Sequence, residues 1–99
     1  MPAYLIADIE VTDPTAYEEY RKQVPALIAA HGGRYLARGG STTVLEGSWT
    51  PKRLVILEFR DMAALKAFHA SPAYGPLAEL RQRNARSNLV AVEGSAPPA

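Results

Sequence analysis

The chain has 99 residues, of which 47% are hydrophobic, which predicts one soluble globular domain with a single core. Its 11 Lys and Arg against 10 Asp and Glu leave a net charge of +1, so charge gives no reason to expect a nucleic acid or a membrane as partner. The absence of cysteine excludes disulfides, thiolate catalysis and cysteine metal sites. No signal peptide and no apolar run of membrane length is visible, so the expected location is cytoplasmic.

The first third of the chain predicts a strand followed by a helix. Residues 3–11 alternate between an apolar and a mixed face, as a strand does. Asp13 and Pro14 suit the cap and the first position of a helix. Pro25 falls inside this helix and predicts a kink or a break, and Gly32-Gly33 ends it. The buried stripe expected for this helix comprises Tyr17, Tyr20, Val24, Leu27 and Ile28.

The middle of the chain predicts two further strands. Residues 34–38 form the second strand, which residues 42–47 are expected to continue after the Gly39-Gly40 break. Residues 53–59 form the third, and its unbroken apolar run predicts a central position in the sheet.

The last third predicts two helices and a final strand. Asp61 caps a short helix over residues 62–70, and a second helix covers about 73–84. Residues 87–93 form the last strand. The resulting order predicts an α+β, ferredoxin-like βαββαβ fold with a four-stranded antiparallel sheet, in one domain over residues 1–94. Residues 95–99 are expected to be a disordered tail because they are polar and proline-rich.

The sheet of such a fold needs a partner. Helices cover only one of its faces, and the other carries Ile6 with residues of the third and fourth strands, which are too apolar to face water. We therefore expect a homodimer through the open sheet face, in which two sheets close into a shared barrel.

Several short motifs, each weak alone, together resemble one bacterial family. They are Gly32-Gly33-Arg34-Tyr35-Leu36, Arg38-Gly39-Gly40, Leu45-Glu46-Gly47-x-Trp49-x-Pro51, Glu58-Phe59, Ser71-Pro72-x-Tyr74 and Val92-Glu93-Gly94. The family is the domain of unknown function 1330, within the dimeric α/β-barrel superfamily. This resemblance implies the fold and the dimer, but no established activity.

The wider superfamily includes cofactor-free monooxygenases, lactone isomerases, haem-binding members and stress-response proteins. Haem needs an axial ligand on the pocket wall, whereas His31 and His69 are predicted at a helix end and on a short outer helix. We therefore expect no cofactor and no metal site.

Asp8 and Glu58 are the candidate catalytic residues. The strand registers allow them to share one face, and a carboxylate inside a partly apolar barrel would have a raised pKa, as a general base near neutral pH requires. The alternative is that each pairs with an arginine and only fixes the sheet or the dimer.

The candidate ligand-binding residues surround the glycine-rich middle of the chain. Arg38 and Arg53 can grip a carboxylate or enolate oxygen, or can neutralise Glu46 or Glu58. Arg38 precedes a glycine pair, where the backbone can approach a ligand closely. The complete set of predicted binding residues is Tyr35, Arg38, Glu46, Trp49 and Arg53.

Two side-chain groups have more than one interpretation. Trp49 is either a cavity wall or, by our preference, an anchor at an apolar edge or dimer contact. The arginines at 81, 83 and 86 are interpreted as a solvated helix face.

Two functions remain open: a cofactor-independent enzyme, monooxygenase- or isomerase-like, acting on a small organic acid or aromatic metabolite, and a non-catalytic or stress-related dimeric module that binds a small molecule.

Overall fold

The computed structural model describes residues 1–95, and the predicted tail beyond Ser95 lies outside them. The elements in chain order are β1 (Ala3–Val11), α1 (Pro14–Ala30), β2 (Arg34–Arg38), β3 (Leu54–Phe59), α2 (Met62–Ala70), α3 (Tyr74–Asn84) and β4 (Ala85–Glu93). The four strands form one antiparallel sheet in the order β2-β3-β1-β4, so β3 has the central position predicted from its apolar run and β1 lies beside it. The predicted α+β ferredoxin-like fold is confirmed.

The two faces of the sheet differ in burial. Alternate residues of β1, from Ala3 to Ile9, point toward the helices and are buried, as are Val55, Leu57 and Phe59 of β3. The intervening residues point to the other, uncovered face, which we call the open face. Its apolar members are Ile6, Leu54, Ile56, Val90 and Val92.

Helix α1 begins as predicted and continues through its internal proline. The Asp13 carboxylate accepts a hydrogen bond from the Ala16 N–H at 3.1 Å, and Pro14 follows the cap. Pro25 does not split the helix, which runs on to Ala30. Gly32 then adopts a φ of +75°, the left-handed conformation that ends helices.

The predicted continuation of the second strand is wrong. Residues 41–53 contain no strand, although Thr42, Thr43 and Val44 have side chains that strands favour. The sheet offers them no ladder, because β3 pairs with β2 only as far as Arg38 and Val55. The segment is instead exposed, with Leu45 89% accessible to solvent.

Candidate functional site

A cavity of about 40 Å³ lies between the sheet and the helices, large enough for about three water molecules. Its aromatic lining residues are Tyr17, Tyr20, Tyr35, Phe68 and Tyr74. Its charged lining residues are Arg21, Arg38, Arg53 and Arg81, and the remaining walls are aliphatic. Among the residues that the structure describes, no Asp or Glu lines the cavity, so the polar side chains of its wall are arginines and tyrosines.

Burial favours the neutral form of three cavity tyrosines, Tyr17, Tyr20 and Tyr35. The hydroxyl groups of Tyr20 and Tyr74 are buried and hydrogen-bond to each other at 3.0 Å. Burial is the main cause that raises the pKa of Tyr20, and it also raises the pKa of Tyr17 and of Tyr35. At neutral pH these phenols are therefore able to donate hydrogen bonds to an oxygen anion but not to act as bases.

Two arginines enter this cavity without an acidic partner. The side chain of Arg81 is 5% exposed, and its Nε has no hydrogen-bond partner; the Nε of Arg53 is likewise buried and unpaired. Within residues 1–95 neither guanidinium forms an ion pair. Both guanidinium charges act on the Tyr17 phenol, whose pKa they lower against the dominant effect of burial. The expectation of a solvated arginine face is therefore wrong for Arg81.

Arg38 spans the cavity between β2 and α1. Its guanidinium carbon lies 4.6 Å from the centre of the Tyr35 ring, and its Nη2 donates to the Arg21 carbonyl at 3.2 Å. In an uninterrupted helix that carbonyl would accept from the N–H of residue 25, which Pro25 lacks. The proline thus frees the acceptor to which Arg38 binds.

Gly39 lies directly against the side chain of Arg53. It has a φ of +72°, and a Cβ built on it would lie 2.7 Å from the Arg53 guanidinium carbon. The backbone at the glycine pair does approach another group closely, and in this chain that group is Arg53.

Asp8 lies on the open face, outside the cavity, in a hydrogen-bonded setting. Its Oδ2 accepts from Trp49 Nε1 at 2.9 Å and its Oδ1 accepts from the Lys52 N–H at 2.9 Å. The Trp49 bond, followed by the Lys52 bond, lowers the pKa of Asp8. The direction expected for a desolvated general base is thus reversed at Asp8.

Glu58 shares the open face with Asp8, as the registers predicted, but the structure does not bring the two carboxylates together. Asp8 pairs with Leu54 and Glu58 with Tyr4, which places them four strand positions, about 13 Å, apart. Glu58 accepts from Arg34 Nε at 2.8 Å, so its partner is neither of the arginines expected.

The structure therefore divides the predicted site residues. Tyr35, Arg38 and Arg53 line the cavity together. Glu46 and Trp49 lie in the exposed segment beside the open face, where Trp49 is 61% accessible. The tyrosines and arginines of the cavity wall that were not in the predicted site set are Tyr17, Tyr20, Arg21, Tyr74 and Arg81.

The sequence does contain a pattern that could have linked Tyr74 and Arg81 to one site, namely their helical spacing. Arg81 follows Tyr74 by seven residues, or two turns, and therefore lies on the same face of α3. The neighbouring positively charged residues obscured this signal.

The histidines are placed as expected. His31 Nδ1 lies 3.1 Å from the Leu27 carbonyl at the end of α1. His69 is an exposed residue of α2 and lies beside the Tyr74 ring. Among residues 1–95, no three His, Cys, Asp or Glu side chains cluster as metal ligands would. In the same part of the chain, no helix combines the length and the apolar character that a membrane crossing requires.

Several solved structures resemble this chain in fold. A protein of unknown function from Rhodopseudomonas palustris is 20% identical with a TM-score of 0.76, over 97% of this chain and 84% of that one. SnoaB, a cofactor-independent oxygenase from Streptomyces nogalater, is 15% identical with a TM-score of 0.65, over 97% and 95%. A dimeric ferredoxin-like protein of unknown function from Jannaschia sp. CCS1 is 17% identical with a TM-score of 0.64, over 95% and 100%.

At these identities the likenesses establish the fold alone. A search of curated protein sequences found no significant match. The family model named Domain of unknown function (DUF1330) matches residues 2–95, and the chain belongs to that family.

Proposed function

We propose that the protein is a homodimer in which each protomer binds a small organic anion in the cavity between the sheet and the helices. The observation that carries this proposal is the pair of arginines, Arg53 and Arg81, that face the cavity with buried, unpaired Nε atoms. A buried guanidinium N–H without an acceptor is costly, because it has lost its hydrogen bonds to water without gaining a partner in the protein. An anionic ligand would supply the missing partner.

The remaining cavity residues suit an organic ligand. Neutral phenols of Tyr17 and Tyr35 can donate to its oxygens, while aromatic and aliphatic walls accept its apolar part. Arg38 is the most exposed of the predicted cavity residues and would meet the ligand at the outer side. Because the cavity measures about 40 Å³, a ligand larger than about four heavy atoms requires side chains to move apart.

The dimer is proposed to form through the open face. Ile56, at the centre of this face, pairs with Ile6, and Val90 and Val92 of β4 are 59% and 46% exposed in a single protomer. Trp49 is exposed beside them and would add an aromatic anchor. The dimeric ferredoxin-like protein from Jannaschia sp. supports this arrangement by its fold. The expected cytoplasmic location remains a prediction from the sequence.

The dimer is tested by placing a charge on the open face. Ile56→Lys should give a monomer in light scattering, because a lysine there cannot be solvated inside an apolar interface. Gln82→Lys, on the exposed side of α3, adds the same charge and should leave a dimer. Two dimeric variants, or a monomeric wild type, would refute the interface.

The ligand is tested on the protein as purified. We expect native mass spectrometry to find a small acid bound to each protomer, and extraction to identify it. Incubation of that acid with the protein under air then decides whether a product forms. Recovery of a cationic ligand, or of a ligand that binds equally well after Arg53→Met, would contradict the proposal.

A second candidate is a cofactor-independent enzyme. It is favoured by the Tyr20–Tyr74 hydroxyl pair in the cavity, since such donors could stabilise an enolate beside the arginines. The fold of SnoaB, a cofactor-independent oxygenase, is compatible with it. The catalytic roles predicted for Asp8 and Glu58 belong to this candidate only as a separate site on the open face, because neither carboxylate lines the cavity. They require that Glu58→Gln abolish turnover of the identified ligand without unfolding the protein, and unchanged turnover would exclude Glu58.

A further inference from the structure

Unpaired polar atoms occur where Arg53 and Arg81 contribute to the cavity wall. Three buried side-chain atoms of residues 1–95 lack a hydrogen-bond partner: Arg53 Nε, Arg81 Nε and Ser87 Oγ. Two of these residues neighbour Ile9 of β1. Ser87 is the β4 residue paired with Ile9, and the Arg53 carbonyl accepts from the Ile9 N–H at 2.9 Å. Arg81 lines the cavity together with Ile9 and Arg53.

We infer that the part of the cavity lined by Arg53 and Arg81 is a carboxylate subsite. The two guanidinium groups there hold one carboxylate of a short-chain or aryl carboxylic acid. The inference rests on the proposed function and specifies the ligand and its orientation. Two unpaired Nε–H donors match the two oxygens of a carboxylate. The apolar body of the acid would then point along the tyrosine wall toward Arg38.

The geometry favours a carboxylate over a phosphate. A phosphate would bring a second negative charge beside the largely apolar walls, whereas a carboxylate needs only the two unpaired Nε–H donors. Neither arginine is a solvated surface side chain: Arg81 is 5% exposed, and Arg53 is half-buried with its guanidinium against the backbone of Gly39.

The test uses the native protein and two pairs of probes matched in shape. Acetate and acetamide fit the existing cavity, and benzoate and benzamide require it to widen. The Nε–H groups of arginine are observable by NMR, and those of Arg53 and Arg81 are assigned from Arg53→Met and Arg81→Met. We expect acetate and benzoate to shift both Nε–H resonances saturably at pH 7, and the two amides to leave them unchanged.

The affinity is then compared between variants. Arg81→Met keeps the aliphatic stem and should weaken binding of the better acid by about 10- to 100-fold, the range expected for loss of a hydrogen bond to a charged group. Arg83→Met, on the exposed side of the same helix, is the matched control and should bind as the wild type does. If Arg81→Met does not fold, the wild-type titrations decide alone.

The outcomes separate this inference from the proposed function. If acids and amides bind the cavity equally, or inorganic phosphate shifts the two resonances at lower concentration than acetate, small molecules bind but the carboxylate subsite is refuted. If none of the probes perturbs the cavity and no acid is recovered from the purified protein, the proposed function fails as well.

Discussion

Gly39 offers a direct test of how the glycine pair shapes the cavity. A side chain at this position meets two obstacles: the left-handed φ of +72°, and the Arg53 guanidinium, whose carbon would lie 2.7 Å from the new Cβ. The left-handed conformation costs a non-glycine residue about 1–2 kcal/mol. Forcing Arg53 into a strained rotamer costs about 0.5–1.5 kcal/mol more. Gly39→Ala should therefore lower the free energy of unfolding by about 1.5–3.5 kcal/mol.

Two other glycines separate these contributions. Gly32 has a φ of +75°, but a Cβ added there would meet no atom within 4 Å, so Gly32→Ala carries the backbone cost alone, about 1–2 kcal/mol. Gly40 has open space and no positive φ, so Gly40→Ala should be neutral or stabilising by up to about 1 kcal/mol.

Urea denaturation at one fixed protein concentration measures all three free energies, and NMR follows the Arg53 Nε–H. We expect only Gly39→Ala to shift that resonance and to alter the affinity for the carboxylate probes. If Gly39→Ala is no more destabilising than Gly40→Ala, or leaves the resonance unmoved, Gly39 does not position Arg53.

Three further predictions follow from single contacts. Tyr20→Phe should lower the free energy of unfolding by about 1–3 kcal/mol, because it leaves the buried Tyr74 hydroxyl without its hydrogen-bond partner. In a double-mutant cycle, changing both tyrosines to Phe should cost less than the sum of the two single changes. Strict additivity would contradict the 3.0 Å hydrogen bond. Arg38→Ala should cost about 1 kcal/mol in the wild type and less after Pro25→Ala, which restores an N–H to the carbonyl that Arg38 now occupies; equal costs would contradict this coupling. The lowered pKa of Asp8 implies a contribution to stability that is present above about pH 4 and is lost as the pH falls through the folded-state pKa. Trp49, the single tryptophan, donates to Asp8, so its fluorescence emission should change in that acid range in the wild type but not in Asp8→Asn.

The regular elements could be predicted from the sequence because their periods are local. The alternation of β1 gave its bounds, and Asp13 and Asp61 gave the starts of α1 and α2. Residues 42–47 have strand-forming side chains but no strand, since a strand exists only where a neighbour offers a ladder, and that information is not local.

The cavity was only partly predictable for a related reason. Tyr17 and Tyr20 were correctly interpreted as a buried stripe, but the same stripe is both core and cavity wall, and spacing alone does not distinguish the two. Arg81 was assigned to a solvated helix face together with Arg83 and Arg86. Charged residues are seldom fully buried, so the burial of Arg81 in the wall that Arg53 also lines is informative.

The central claim is that Arg53 and Arg81 together bind a carboxylate inside the fold. A crystal structure of the dimer grown with the acid recovered from the purified protein, or with benzoate if none is recovered, tests it most directly. The account predicts a carboxylate between the two guanidinium groups, with each Nε about 2.7–2.9 Å from one of its oxygens. An acid bound only at the open face, or a cavity in which both Nε atoms bond to groups of the protein, would contradict it.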